Sequence, residues 1–261
     1  MEVIIRDTRE EAVSLTAAVI GKALREKPSL TLGLATGRTM ESVYEILVRL
    51  YEDDGLDFSL ARTFNLDEYV GLPPEDPNSY RYYMKKHLFD RVNIDPRNAH
   101  LLNGMAEDLY AECKRYEGLI CECTGIDLQL LGIGRSGHIG FNEPLSAMQS
   151  RTRPKMLTEE TVEQNAPMFG GREKMPRRAL TMGVGTILEC KRCILLVTGE
   201  EKADVLARAV EGPVTSMISA SALQLHPNCV VVVDAAAGSR LENQAYYRWI
   251  FENEPEWLSF Q

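Results

Sequence analysis

The chain has 261 residues, 44% of them hydrophobic, and a formal net charge of −9. That length holds one large α/β domain or two small ones with a substantial core. The acidic balance and the lack of a long basic run exclude an extended nucleic-acid surface and leave room only for a local basic pocket. No apolar stretch is long enough to span a bilayer. The N-terminus, MEVIIRD, is charged almost at once and lacks a signal-peptide core, so a cytoplasmic location is expected. The six cysteines (Cys113, Cys121, Cys123, Cys190, Cys193 and Cys229) read as reduced thiols in a chain of this length. CKRC at 190–193 has the C-x-x-C spacing, but CEC at 121–123 is too tight to complete a zinc site with it.

Strand-like and helix-like segments alternate along the chain. Residues 30–35 form a short apolar run, and 41–51 carry helical periodicity with Val43, Ile46, Leu47 and Leu50 on one face. Residues 62–66 read as a strand. DPNSY at 76–80 opens a helix running to about Phe89, with proline near its start. A helix follows over 107–121, and 126–131 is a buried strand. Residues 193–198 form another buried strand, followed by a helix over 200–210; 228–234 is the last strand and 241–251 the last helix. This alternation predicts an α/β fold: an open, mostly parallel, doubly wound sheet with helices on both faces, in a single domain over 1–261. Residues 145–178 are polar, proline-bearing and weakly periodic, which suits a lid or interface segment.

Chemistry concentrates at the predicted strand ends, where open α/β sheets bind ligands. GIGRSGHIGFNEP at 132–144 follows the strand at 126–131; three glycines in six residues and a fourth at Gly140 allow a sharp turn. His138 and Glu143 lie just past it. A carboxylate orienting a histidine is a recurring acid–base device, although a buried, satisfied histidine would look the same. Of the four histidines, His87 reads as a surface helix residue, and His100 and His226 as loop residues. No clustered third ligand accompanies His138, so no metal is expected. ATGRT at 35–39 couples a strand to a glycine turn and a helix start, which aims backbone N–H groups at an anion; an ordinary turn with Thr39 as N-cap is the alternative. In TFNLDEY at 63–69, Asp67 and Glu68 point to opposite sides of an extended chain. One of them suits a substrate-facing general base and the other a structural role, against the plainer reading of a solvated acidic turn. Lys202 follows another strand end and suits phosphate binding, or equally a solvated helix surface.

Together these segments resemble the glucosamine-6-phosphate deaminase (glucosamine-6-phosphate isomerase) family. The resemblance rests on LGLATG (32–37), TFNLDEYVGL (63–72), GRSGHIGFNEP (134–144), ALTMGVGT (179–186) and LQLHP (223–227), in order and over nearly the whole chain. It implies cofactor-free and metal-free conversion of glucosamine 6-phosphate to fructose 6-phosphate and ammonia. It implies ring opening by His138 with Glu143, proton transfer between C2 and C1 by Asp67, and phosphate binding by Thr36, Gly37, Arg38, Thr39 and Lys202. It also implies a homo-oligomer, a hexamer in the allosteric members, where the positions of Ser146, Arg153 and Lys155 bind an N-acetylglucosamine 6-phosphate activator. Two positions depart from the family pattern. Ser136 stands where an aspartate or asparagine is usual beside the catalytic histidine. Pro167 stands where an arginine usually contacts phosphate, so Arg38 or Arg172 is expected to replace that cation. A galactosamine-6-phosphate paralogue is one alternative. A non-catalytic sugar-phosphate sensor is another, disfavoured because the chain starts directly at its first strand without a DNA-binding helix pair. A 6-phosphogluconolactonase would share the fold, but DEY and FNEP favour the deaminase branch.

Overall fold

A computed structural model describes residues 1–260. Ten strands and eight α-helices follow one another. The strands are β1 (Glu2–Arg6), β2 (Thr31–Leu34), β3 (Arg62–Asn65), β4 (Asp67–Tyr69), β5 (Ala99–His100), β6 (Leu128–Leu131), β7 (Arg153–Met156), β8 (Arg178–Thr181), β9 (Arg192–Val197) and β10 (Cys229–Asp234). The helices are α1 (Arg9–Glu26), α2 (Arg38–Asp54), α3 (Tyr80–His87), α4 (Leu109–Glu122), α5 (Glu159–Asn165), α6 (Val184–Leu188), α7 (Ala203–Val210) and α8 (Gln244–Asn253).

Seven strands form one sheet in the order β1-β10-β9-β6-β2-β3-β5, and every pairing in it is parallel. All residues of β2, β6 and β10 are buried. Successive side chains of a strand face opposite sides, so unbroken burial requires cover on both faces of the sheet. The core is built from these strands with α1, α2 and the apolar sides of α4 and α7. Among the described residues, no helix is long and apolar enough to cross a membrane.

The second sheet was not legible in the sequence. β4, β8 and β7 pair antiparallel, with Asp67 opposite Thr181 and Thr181 opposite Arg153. A small separate core of Tyr69, Phe141, Leu157, Val162, Phe169, Met175 and Ala179 packs against it. The weakly periodic 145–178 segment therefore holds β7, α5 and two short 3-10 turns.

Helix starts refine several expectations. Ser79 caps α3 by accepting from the Tyr82 N–H, so the helix begins three residues beyond Pro77. Thr39 is not an N-cap: Gly37 occupies that position, with no side-chain bond to the first turn of α2. His226 is buried, with its ring nitrogens bonded to the Cys190 carbonyl and the Asn228 N–H. His100 lies in β5, stacked on Phe64 with ring centroids 4.7 Å apart.

The C-terminal segment closes the other edge of the fold. Trp257 is fully buried, and its Nε1 donates to Glu2 Oε2 at 2.9 Å. Its ring packs near Phe251 and Phe260, under the Arg192 guanidinium. Trp257→Ala is expected to lower unfolding stability by about 3–5 kcal/mol, read as an earlier denaturant midpoint at unchanged m-value.

Candidate active site

Because the large sheet is parallel, the carboxyl ends of β9, β6, β2 and β3 share one edge. From β2 the chain continues outward to β3, whereas β6 lies on the other side of β2; the crevice between these exits is where the candidate residues gather.

The turn after β6 is closed by its own backbone: Gly134 N–H donates to the His138 carbonyl, and Gly137 N–H to the Gly134 carbonyl. The imidazole folds back across Gly134, where an added Cβ would lie 2.1 Å from His138 Nε2; a larger residue there would have to displace the imidazole. His138 Nδ1 lies 2.9 Å from Ser136 Oγ and 3.1 Å from Glu143 Oε2. An ionised carboxylate only accepts, so Nδ1 carries the hydrogen and Nε2 is left to exchange protons. Burial raises the Glu143 carboxyl, but bonds from His138, Thr161 and Thr158 outweigh it and hold the group below its ordinary value. Glu143 is thus a buried anion kept ionised by the imidazole it orients.

The surrounding loop is fixed from several sides. Ser219 Oγ accepts from Ile139 N–H and donates to the Asn142 carbonyl. Asn142 Nδ2 donates to the carbonyls of Ile139 and Met182. Arg153 donates to Asn142 Oδ1 at 2.9 Å and to Ser146 Oγ at 3.0 Å, and Ser146 Oγ donates to the Glu143 carbonyl at 2.7 Å. Ser146 and Arg153 therefore touch each other and brace Glu143 from behind. Lys155 stands two residues along β7, half-buried, its ammonium without a hydrogen bond or ion pair among the described residues.

Asp67 reaches the same place from the opposite side of the crevice. At Leu66 the chain leaves the parallel sheet, and Asp67 opens β4 opposite Thr181. Gly140 has φ +55°, and an added Cβ there would lie 2.9 Å from Thr181 Oγ1 and 3.6 Å from Asp67 Oδ2. The carboxylate thus rests against the backbone two residues beyond His138. It accepts no hydrogen bond from any described residue. Burial, and secondly the neighbouring Glu68, push Asp67 up to about 8. Glu68 points the other way and accepts from the backbone N–H groups of Tyr69, Tyr80 and Arg81, which ties down the start of α3. The reading of 67–68 as a solvated acidic turn is overturned: the residues are 6% and 3% exposed. The small sheet, invisible in the sequence, covers them.

The third group lies at the α2 N-terminus. Thr36 bonds the Tyr80 hydroxyl, and Tyr80 also donates to the Tyr69 hydroxyl at 3.4 Å. Thr39 Oγ1 meets Thr198 Oγ1 at 3.3 Å, which joins this turn to the end of β9. Arg38 is the exposed first residue of α2. Lys202 is half-buried just before α7; burial holds its ammonium below the ordinary value, with Glu201 and Glu160 opposing and Arg135 reinforcing the shift. Arg172, in contrast, is committed to Glu159 and Glu163.

Sequence reasoning missed Thr158, Thr161, Tyr80, Asn165 and Ser219. All are polar residues brought in from distant segments, and a single sequence carries no signal that marks them. Arg135 was available as the one cation inside the glycine turn. Among the described residues, no three histidine, cysteine or acidic side chains gather as a metal-ligand group.

Comparison with known proteins sharpens this picture. A family model described as glucosamine-6-phosphate isomerases/6-phosphogluconolactonase matches residues 6–232. The glucosamine-6-phosphate deaminase of Hahella chejuensis is 47% identical over 250 residues, covering 96% of this chain and 95% of that protein. A solved structure of a monomeric glucosamine-6-phosphate deaminase superposes with a TM-score of 0.90 at 44% identity, covering 92% of this chain and 100% of that one. The 6-phosphogluconolactonase of Trypanosoma cruzi, at 18% identity and a TM-score of 0.73 over 92% of this chain and 97% of its own, shares the fold.

The Asp67 environment makes stability depend on pH. Its carboxyl titrates near 3.8 ordinarily and near 8 in the folded chain. Between those values the folded state holds a proton that the unfolded state has released, so stability falls as pH rises through the window. Asp67→Asn removes this slope, at about 1.4 kcal/mol per pKa unit. Denaturation at pH 5 and pH 8 is expected to show the variant gaining several kcal/mol on the parent between the two.

Proposed function

This chain belongs to the family of glucosamine-6-phosphate isomerases and 6-phosphogluconolactonases, and within it we propose that it is a glucosamine-6-phosphate deaminase, releasing ammonia and fructose 6-phosphate. The observation that carries this reading is a base with a raised pKa, Asp67, set against the loop that presents an oriented imidazole. A lactonase hydrolyses an ester and has no need to move a proton between carbons; a carboxylate poised for abstraction beside a carbonyl does that work.

His138 Nε2 opens the pyranose ring by shuttling the anomeric hydroxyl proton to the ring oxygen, with Glu143 stabilising the imidazolium through Nδ1. Ser136 shares Nδ1 but adds no charge, so Glu143 bears the electrostatic part alone. In the open aldehyde, ionised Asp67 takes the C2 proton while a proton of the substrate ammonium passes to O1, leaving an enolamine between C1 and C2. The same carboxyl returns the proton to C1. The resulting C2 iminium adds water, the C2–N bond breaks, and ammonia leaves behind the ketone. The backbone turn at 36–39, Arg38 and Lys202 hold the phosphate, so that the linear chain stays in register with both proton-transfer groups.

Ser146 and Arg153 serve here as braces of Glu143. For Lys155, an anionic effector is the role the family resemblance implies. Every residue in this scheme comes from one chain, which suits a competent single subunit like the monomeric relative; the oligomer implied by the resemblance is not needed to complete the site. α5 and its N-cap supply Thr158, Thr161 and Asn165 to the site, which suits a cover over the bound sugar. A charged, phosphorylated substrate fits a cytoplasmic location.

Ammonia release from glucosamine 6-phosphate by purified protein tests the reading directly. Asp67→Asn is expected to lower kcat by roughly 10²–10⁴-fold while inorganic phosphate still binds; full activity in that variant would sink the assignment. The base must be ionised to act, so kcat/KM is expected to rise with pH through about 8, the value of the free-enzyme carboxyl. The limb belongs to the enzyme if it moves in Asp67→Glu, since the substrate amine titrates alike in both.

A further inference from the structure

We propose that Arg135 is a substrate-positioning residue that binds the sugar phosphate together with Lys202. This rests on the deaminase reading and extends its phosphate site to a residue of the ring-opening turn.

The placement follows from topology. β6 and β9 are parallel neighbours, with Leu131 opposite Leu195, so the turns leaving them emerge side by side. Arg135 lies in the first turn and Lys202 ends the second. The two turns are in contact, because an added Cβ at Gly137 would lie 2.9 Å from Val205 Cγ2 on α7. Arg135 is exposed and makes no hydrogen bond or ion pair with any described residue. The Lys202 ammonium likewise has no hydrogen bond or ion pair among the described residues, and it feels the Arg135 charge. Glu201 and Glu160 are the opposing charges near it.

Two like charges facing one crevice repel each other, and that repulsion ends when a phosphate dianion settles between them. The other arginines fit the role less well. Arg172 is held by two glutamates, and Arg38, at the first turn of α2, already serves the 36–39 side of the phosphate site. Arg135 has a further property that neither shares: it is adjacent to Ser136, whose hydroxyl touches the catalytic imidazole. A phosphate gripped by Arg135 therefore steadies the same short turn that presents His138, so binding at one end of the sugar helps fix the proton shuttle at the other.

The test compares Arg135→Met and Arg135→Lys with the parent, using calorimetric binding of inorganic phosphate and steady-state kinetics on glucosamine 6-phosphate. Arg135→Met is expected to weaken phosphate binding and raise KM by about tenfold or more, the scale of one lost charge-assisted contact. Its kcat should fall far less, and its melting temperature should hold because the side chain is exposed. Arg135→Lys should recover part of the affinity. Phosphate affinity and KM within twofold of the parent in Arg135→Met would overturn the proposal. Phosphate binding needs no turnover, so a parent that releases no ammonia yet loses phosphate affinity in Arg135→Met would refute the deaminase reading and still support this assignment.

Discussion

Between Asn65 and Asp67 the chain passes from a seven-stranded parallel sheet into a three-stranded antiparallel one, and at that seam a carboxylate is buried without a hydrogen bond. Desolvation of this kind is unfavourable to the charged form and is the physical source of a base that titrates near neutral pH. The small sheet supplies the cover, Thr181 the local partner strand, and Gly140 the space against which the carboxylate rests.

The histidine side of the site works by the opposite strategy. Glu143 is as buried as Asp67, but every neighbour stabilises its charge: the imidazole, Thr158, Thr161, and a braced loop behind it. Two carboxylates within one crevice are thus driven apart in proton affinity by what touches them, which separates their roles. The 134–146 loop is held by partners outside it: Ser219 and Thr181 hydroxyls accept from the Ile139 and Phe141 N–H groups, and Arg153 donates to Asn142. Such positioning by packed, hydrogen-bonded neighbours keeps reacting groups in place more reliably than the loop's own glycines could.

A fold shared with 6-phosphogluconolactonases at 18% identity does not decide chemistry. The shared parallel sheet brings strand ends together, and the side chains placed there carry the chemistry. In this chain a buried carboxylate, an oriented imidazole and the α2 N-terminus converge on one edge. Arg135, Ser136 and His138 share a single five-residue turn, closed by the Gly134 N–H bond to the His138 carbonyl.

The amino-acid sequence alone determined the parallel α/β architecture, because apolar runs alternating with helical periodicity leave few other ways to bury both faces of each strand. It also determined the His138–Glu143 pair, which is local: five residues apart on one glycine-bent turn. The burial of Asp67 lay beyond it, since an acidic DEY on extended chain reads equally as a solvated turn until β7 and β8 are seen to cover it. The same holds for the cap of α2, the burial of His226 and the pairing that removes Arg172 from consideration. Each depends on which side chains meet in three dimensions, and periodicity carries no information about that.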